Sequence, residues 1–152
     1  MLPQITVRRF RSADIEQLLE IERTSFGREA YDRNLFADLF HKCGDSFLVA
    51  VMDGNICGYM VTCMRGRRAA DCAELVSIAV SPAVRGKGVA STLMRNTVRR
   101  LRLRGVARFS LVVRTSNETA LRLYERHGFR KVRRVPRYYE NGEDGVLMNK
   151  EL

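Results

Sequence analysis

The sequence predicts an α/β fold: one domain over residues 1–152, with a mixed central sheet of about seven strands and helices packed on its faces. Three observations carry this. Apolar or alternating runs of strand length recur from residues 5–10 to residues 146–152. Between them lie segments whose apolar residues repeat at helical spacing, the longest at Val89–Leu103. Their order, β-α-α-β-β-β-α-β-α-β-β, puts strands joined by tight turns in the first half and strands separated by helices in the second. The sheet is therefore part antiparallel and part parallel. A chain of 152 residues with 45% hydrophobic content can bury a core, and it contains no repeat, linker or low-complexity tract.

In chain order, residues 5–10 alternate like a strand, and Ser12 stands where a helix N-cap is expected, with Asp14 in the first turn of a helix reaching about Thr24. Leu35, Phe36, Leu39 and Phe40 make one apolar face of a second helix over 33–42. Strands at 46–52 and 56–64 flank Asp53-Gly54-Asn55, a strong hairpin signal, and a basic loop follows at 65–72. After a strand at 73–80 and the helix at Val89–Leu103, Gly105 can take the left-handed position that ends a helix. A strand at 107–113 leads through Thr115-Ser-Asn into a helix at Glu118–Arg126, stopped by His127-Gly128. Strands at 129–135 and 146–152 close the chain around a polar, turn-rich loop at 136–145.

Composition narrows the function classes. No apolar run approaches the ~18 residues of a membrane span, and the N-terminal residues lack the apolar stretch of a secretion signal, so a cytoplasmic location is expected and no membrane partner. Cys43, Cys57, Cys63 and Cys72 form no C-x-x-C pair and only two histidines accompany them, so reduced thiols and no metal site are expected. A net charge of +10 favours polyanionic partners. Arg95, Arg99, Arg100, Arg102 and Arg104 crowd one helix, but no nucleic-acid-binding motif goes with them. A solvated basic face is the reading we adopt, with nucleic acid relevant only through proximity to a ribosome.

The most informative stretch is the turn between the strand at 73–80 and the helix at Val89–Leu103. Its glycines let backbone come close to a ligand, and the helix start supplies unpaired N–H groups and the positive end of a dipole. Arg85 and Lys87 add formal charge beside Gly86 and Gly88, which makes pyrophosphate a suitable guest. Neither the Walker phosphate loop nor the dinucleotide fingerprint is present, since Ser91 stands where the third glycine of the latter would be. The segment Arg85-Gly-Lys-Gly88-Val-Ala90 instead resembles the Arg/Gln-x-x-Gly-x-Gly/Ala motif of the GNAT acetyltransferase superfamily. With Ser77-Ile-Ala-Val-Ser-Pro, Val113-Arg-Thr-Ser-Asn117, Ala120-Leu-x-Leu-Tyr-Glu-x-x-Gly-Phe129 and Arg137-Tyr-Tyr-x-x-Gly-Glu-Asp144, the chain is similar over essentially its whole length to that superfamily's N-terminal-protein branch. The RimI-type enzymes and the catalytic subunit of NatA belong to this branch.

The resemblance implies acetyl transfer from acetyl-CoA, as co-substrate, to the α-amino group of a protein N-terminus, with a ribosomal protein as one such substrate. It implies that Arg85, Gly86, Lys87, Gly88, Val89 and Ala90 hold the pyrophosphate. Backbone groups of Ile78, Ala79 and Val80 would pair with pantetheine where two parallel strands splay, and the Asn117 amide would steady it. Tyr124 would protonate the departing thiolate, since a tyrosine hydroxyl stays protonated at pH 7. Tyr138 and Tyr139 would wall the peptide slot, with Phe26 and Tyr31 opposite. Each assignment has a plainer alternative: Asn117 as a helix cap, Tyr124 as a core aromatic, and Tyr138 and Tyr139 as surface residues of a loop.

The general base is where the chain departs from its relatives. RimI-type enzymes place a glutamate in the strand before Arg-x-Ser-Asn, and Val112 occupies that position here. Glu74 resembles the catalytic glutamate of histone-type enzymes, and Glu29 lies in the region where NatA-like subunits use one; an ion pair with an arginine is the alternative for Glu74. A weak base is sufficient for an α-amine. With a pKa of ~7.7–8.0 roughly a tenth of it is neutral at pH 7, against a few parts in ten thousand for a lysine amine at ~10.4. Loss of the glutamate therefore hurts lysine acetylation more. A small-amine acetyltransferase and a non-catalytic acetyl-CoA- or ribosome-binding module remain as alternatives, and the sequence leaves the oligomeric state open.

Overall fold

The structure, a computed structural model, describes residues 4–65 and 72–152. All but the two ends of the basic loop expected at 65–72 lies outside them. Strands β1 (Thr6–Arg9), β2 (Phe47–Met52), β3 (Asn55–Arg65), β4 (Cys72–Val80), β5 (Arg108–Arg114), β6 (Arg130–Val135) and β7 (Gly145–Glu151) form a seven-stranded sheet of order β1-β2-β3-β4-β5-β7-β6. Helices α1 (Ile15–Phe26), α2 (Arg33–Cys43), α3 (Val89–Leu103) and α4 (Glu118–Arg126) fall where the periodicity places them. The mixed character is as expected: β4 and β5 pair in parallel, while β1–β2, β2–β3, β5–β7 and β6–β7 are antiparallel. The described residues group into two compact units, one of 4–63 with 76–100, the other of 64–65, 72–75 and 101–152.

In the first unit, α1 and α2 bury one apolar stripe each. Leu18, Ile21 and Phe36 meet Phe10, Phe47, Val49, Tyr59 and Val61. The aromatic side chains interlock: Phe10 stacks on Phe47 with centroids 4.3 Å apart, and Phe36 meets Tyr59 edge-on at 5.5 Å. Burying a ring of this size contributes about 1.5–3 kcal/mol, and edge-to-face pairs add about 0.5–1.5. Helix α3 places Val89, Leu93, Met94, Thr97 and Val98 inward and leaves Arg95 and Arg99 in solvent. Gly58 of β3 makes this approach feasible, since a Cβ there would lie 3.1 Å from both Ala79 O and Val89 Cγ1.

In the second unit, β5 pairs with β7 along its whole length, from Arg108 opposite Glu151 to Arg114 opposite Gly145. Cys72–Glu74 of β4 lie parallel to Arg108–Ser110. Tyr124 of α4 packs edge-on against Phe129 at 5.8 Å, and Phe129 against Phe109 at 5.4 Å.

Several expectations are corrected. Ser12 is not a helix cap. A short 3-10 turn over Ser12–Asp14 precedes α1, and the Asp14 carboxylate organises it by accepting from Arg11 N–H at 2.8 Å and from both terminal nitrogens of the Arg8 guanidinium, Nη1 and Nη2, at 2.8 and 2.9 Å. The hairpin turn is tighter than the three residues proposed. Asp53 and Gly54 take φ of 52° and 78° and Asn55 already pairs with Met52, the two-residue turn whose twist matches its strands. The cysteines are not all reduced: Cys43 at the end of α2 and Cys63 of β3 form a disulfide with Cα atoms 5.1 Å apart, while Cys57 and Cys72 remain thiols. Helix packing brings that pair together, and no spacing rule registers it.

Candidate active site

The turn after β4 has a geometry that suits an anion. A 3-10 turn over Pro82–Val84 leads the chain out of the strand. Gly86 and Gly88 follow with φ of 82° and 83°, a region that costs other residues about 1 kcal/mol or more, and the space beside each Cα is open. Lys87 N–H bonds back to Val84 O at 3.3 Å. Thr92 closes the first turn of α3 on Gly88 O through its N–H at 3.0 Å and its hydroxyl at 2.8 Å. The N–H groups of Val89 and Ala90, at the very start of α3, have no preceding helical carbonyl to pair with. Arg85 and Lys87 are exposed on the same turn. Backbone donors, a helix dipole and two cations thus meet beside the open space at Gly86 and Gly88, which fits the pyrophosphate of a CoA carrier. Ile78 and Val80 are half-buried and Ala79 is buried on the strand leading in.

The same unit holds the segment between α1 and α2. Phe26 closes α1 and is 41% exposed, and Glu29 ends an exposed 3-10 turn. Tyr31 is different: its ring leans on Phe36 at 5.9 Å and belongs to the rim of the core. Its N–H donates to Glu22 Oε2 at 2.8 Å, and the other carboxylate oxygen of Glu22 accepts the Tyr59 hydroxyl. Tyr59 Oη lies 2.8 Å from Ser77 Oγ of β4. Glu22 is 1% exposed, and desolvation pushes its carboxyl above the ordinary range. Glu22 shares helical spacing with Ile15, Leu18 and Leu19 and was not singled out from the sequence. Its position three residues beyond Leu19 on an otherwise apolar stripe was the signal available.

In the second unit, Asn117 caps α4, its Oδ1 accepting Ala120 N–H at 3.1 Å, which leaves the amide nitrogen as the end able to donate elsewhere. Tyr124 is 6% exposed, and burial first, with Tyr139 second, raises its hydroxyl well above the ordinary tyrosine range. Tyr138 is 49% exposed and meets Tyr139 edge-on at 4.9 Å. The Arg114 guanidinium lies over the Tyr139 ring at 4.0 Å, while the Tyr139 hydroxyl donates to Val112 O at 3.4 Å.

Glu143 fixes this loop. It accepts Ser116 N–H at 3.0 Å and Arg114 at 3.2 Å, and these contacts, Ser116's foremost, hold its carboxyl below the usual range. Arg114 and Ser116 lie in the matched Arg-x-Ser-Asn segment and Glu143 in the matched Gly-Glu-Asp segment, but none was given a role from the sequence. Gly145 is required at the loop's end, because a Cβ would sit 2.5 Å from Val112 Cγ1.

Of the carboxylates proposed as a base, Glu74 is ion-paired with Arg65, its side chain 19% exposed, and Glu29 lies in the exposed turn just described. Among the described residues no cluster of three histidine, cysteine or acidic side chains could hold a metal, and no helix is long and apolar enough to cross a membrane.

A mixed sheet of this order with a glycine turn feeding α3 defines a class of enzymes that move an acyl group from a CoA carrier. The chain belongs to the acetyltransferase (GNAT) family, whose model matches residues 13–129. It is 31% identical over 160 residues to an N-alpha-acetyltransferase of Saccharolobus solfataricus, covering 97% of this chain and 93% of that protein. Its fold is similar to Ard1 from Thermoplasma volcanium, with a TM-score of 0.90, 30% identity and 97% of both chains covered. It is also similar to the ribosomal-protein-S18-alanine N-acetyltransferase from Escherichia coli, with a TM-score of 0.83, 26% identity, and 97% and 94% covered.

Proposed function

We propose that the protein transfers the acetyl group of acetyl-CoA to the α-amino group of a protein N-terminus, with residues 1–152 as one catalytic domain. The observation that carries this reading is similarity along nearly the whole chain to an N-alpha-acetyltransferase, and the glycine turn at 85–90 supports it. A ribosomal protein is the finer assignment, suggested by the Escherichia coli neighbour, with a cytoplasmic location as the matching expectation.

In this reading the amides of residues 85–90, with Arg85 and Lys87, hold the pyrophosphate. Ile78, Ala79 and Val80 offer backbone groups to the pantetheine arm, and the Asn117 amide donates to it. The neutral amine attacks the acetyl carbonyl carbon, so that a C–N bond forms and the C–S bond breaks. Tyr124 donates to the departing sulfur, and a base removes the amine's proton, for which Glu74 and Glu29 are the sequence's candidates. The Tyr138–Tyr139 edge supplies flat contact and hydroxyl tips for a peptide backbone, and Phe26 a further apolar surface.

The test is thiol release from acetyl-CoA with peptides differing in their first residue, alongside spermidine and a lysine peptide with a blocked N-terminus. Release with free N-termini that disappears on blocking is expected. Release with spermidine alone would overturn the N-terminal assignment in favour of a small amine. Silence in protein that binds acetyl-CoA would favour a binding module.

A further inference from the structure

The buried Glu22 is unexplained by anything above. An ionised carboxylate 1% exposed is costly unless paired, and the contacts that shift it are burial, Tyr31 N–H and the Tyr59 hydroxyl, with no cation among them. A neutral amide or hydroxyl could tie Tyr31 to Tyr59 at lower cost, so anchoring the segment between α1 and α2 does not by itself call for an acid. The hydroxyl chain gives the acid a use. Tyr59 Oη stands between Glu22 and Ser77 Oγ, and Ser77 is partly exposed on β4 directly before Ile78. The wire thus begins at a carboxylate sealed from water and ends beside the strand residues assigned to the pantetheine arm.

We infer that Glu22, acting through the hydroxyls of Tyr59 and Ser77, receives the proton that the attacking amine loses. At rest Tyr59 donates to Glu22 and Ser77 donates to Tyr59, which leaves a lone pair of Ser77 Oγ open. As the C–N bond forms, the nitrogen gives its proton to Ser77 Oγ. Ser77 passes its own proton to Tyr59 Oη, and Tyr59 passes its own to Glu22. One proton has then moved from nitrogen to carboxylate, both hydroxyls are restored with reversed orientation, and no oxidant or further reactant is needed.

The electrostatics agree with this direction of flow. Desolvation makes Glu22 a better acceptor than an exposed carboxylate, and burial holds Tyr59 far above the ordinary tyrosine range, so it relays a proton and does not rest as an anion. The titratable group hydrogen-bonded to Glu22 is Tyr59 on β3, while Tyr31, between α1 and α2, meets it through its backbone N–H; the α2 side chain packed on Tyr59 is the uncharged Phe36, and β4 contributes Ser77. The relay occupies the role left by Val112, and it is consistent with Glu74 being held by Arg65.

This inference rests on acetyl transfer to an amine. The parent protein's rates across the amine panel test that reading, and the variants are then measured on whichever amine the parent uses, so the two fail separately. The variants are Ser77→Ala, Ser77→Thr, Tyr59→Phe and Glu22→Gln, assayed between pH 6 and 9. The relay requires Ser77→Ala and Glu22→Gln to lower kcat by about 10- to 100-fold, with KM for acetyl-CoA unchanged and the deficit shrinking at high pH as solvent base takes over. Ser77→Thr, which keeps a hydroxyl, should recover most of the rate. If Glu22→Gln or Tyr59→Phe fails to fold, the Ser77 pair decides alone. Ser77→Ala within twofold of the parent overturns the relay. So does a Glu22→Gln defect confined to peptide KM with an unchanged pH profile, which would make Glu22 only the anchor of Tyr31.

Discussion

Tyr124→Phe removes one oxygen from the proposed acid and almost nothing else. The ring is 6% exposed and packs against Phe129 at 5.8 Å, a contact phenylalanine reproduces, so stability should change by less than about 1 kcal/mol. The catalytic consequence follows from the raised hydroxyl pKa, caused by burial and then by Tyr139. So weak an acid surrenders its proton only as the C–S bond breaks, and until then acts as a preorganised hydrogen-bond donor to the growing charge. Donors of that kind are worth about 10²–10³ in kcat. A 100-fold loss corresponds to about 2.7 kcal/mol of transition-state stabilisation. In a thiol-release assay with saturating peptide, kcat should fall about 100-fold with KM for acetyl-CoA unchanged. The parent should show no loss of rate from Tyr124 ionisation up to pH 9, because the shift is upward. A kcat within twofold of the parent would refute the acid role and leave Tyr124 as a core aromatic.

Gly88→Ala places a Cβ on a residue with φ of 83°, so the turn must distort; KM for acetyl-CoA should rise about tenfold or more, with a stability loss of about 1 kcal/mol in urea melts. Arg8→Met strips the partner from Asp14, whose carboxyl is held below its usual range chiefly by the Arg8 hydrogen bonds. A lowered folded-state pKa contributes stability that is present above the unfolded value of ~3.9 and is lost as pH falls through the folded value. The parent should therefore exceed the variant by about 1–3 kcal/mol at pH 7, with the gap closing in melts near pH 3; a gap that widens there would be contrary to the assignment. Reduction of Cys43–Cys63, 20 residues apart, should cost about 3 kcal/mol in melts with and without reductant, and the same loss should appear in Cys63→Ser.

Much of this molecule is legible along the chain because its signals are local. Asp53-Gly54 declares a hairpin, Gly105 (φ 77°) ends a helix where expected, and the stripe of Val89, Leu93, Met94 and Leu101 declares α3. The turn at 85–90 is legible for the same reason, since its glycines, cations and helix start are contiguous. Where sequence reasoning missed, the partners were distant. Asp14 turns back to Arg8 and Arg11 and makes no cap to the helix that follows it. Cys43 meets Cys63, and Glu143 reaches back to Arg114 and Ser116.

The sequence by itself determined the element order, the sheet's mixed character, the glycine turn at 85–90 and the family, because each depends on residue types at fixed short spacing. Only the tertiary structure decided what surrounds each candidate side chain. It paired Glu74 with Arg65, turned the Tyr31 ring onto the core, gave the oxygen of Asn117 to a helix cap, and sealed Glu22 beneath Tyr59 and Ser77. Burial and the identity of a hydrogen-bond partner depend on residues that approach from other strands and helices. Those are the quantities that set whether a carboxylate is a base, an ion-pair partner or an anchor.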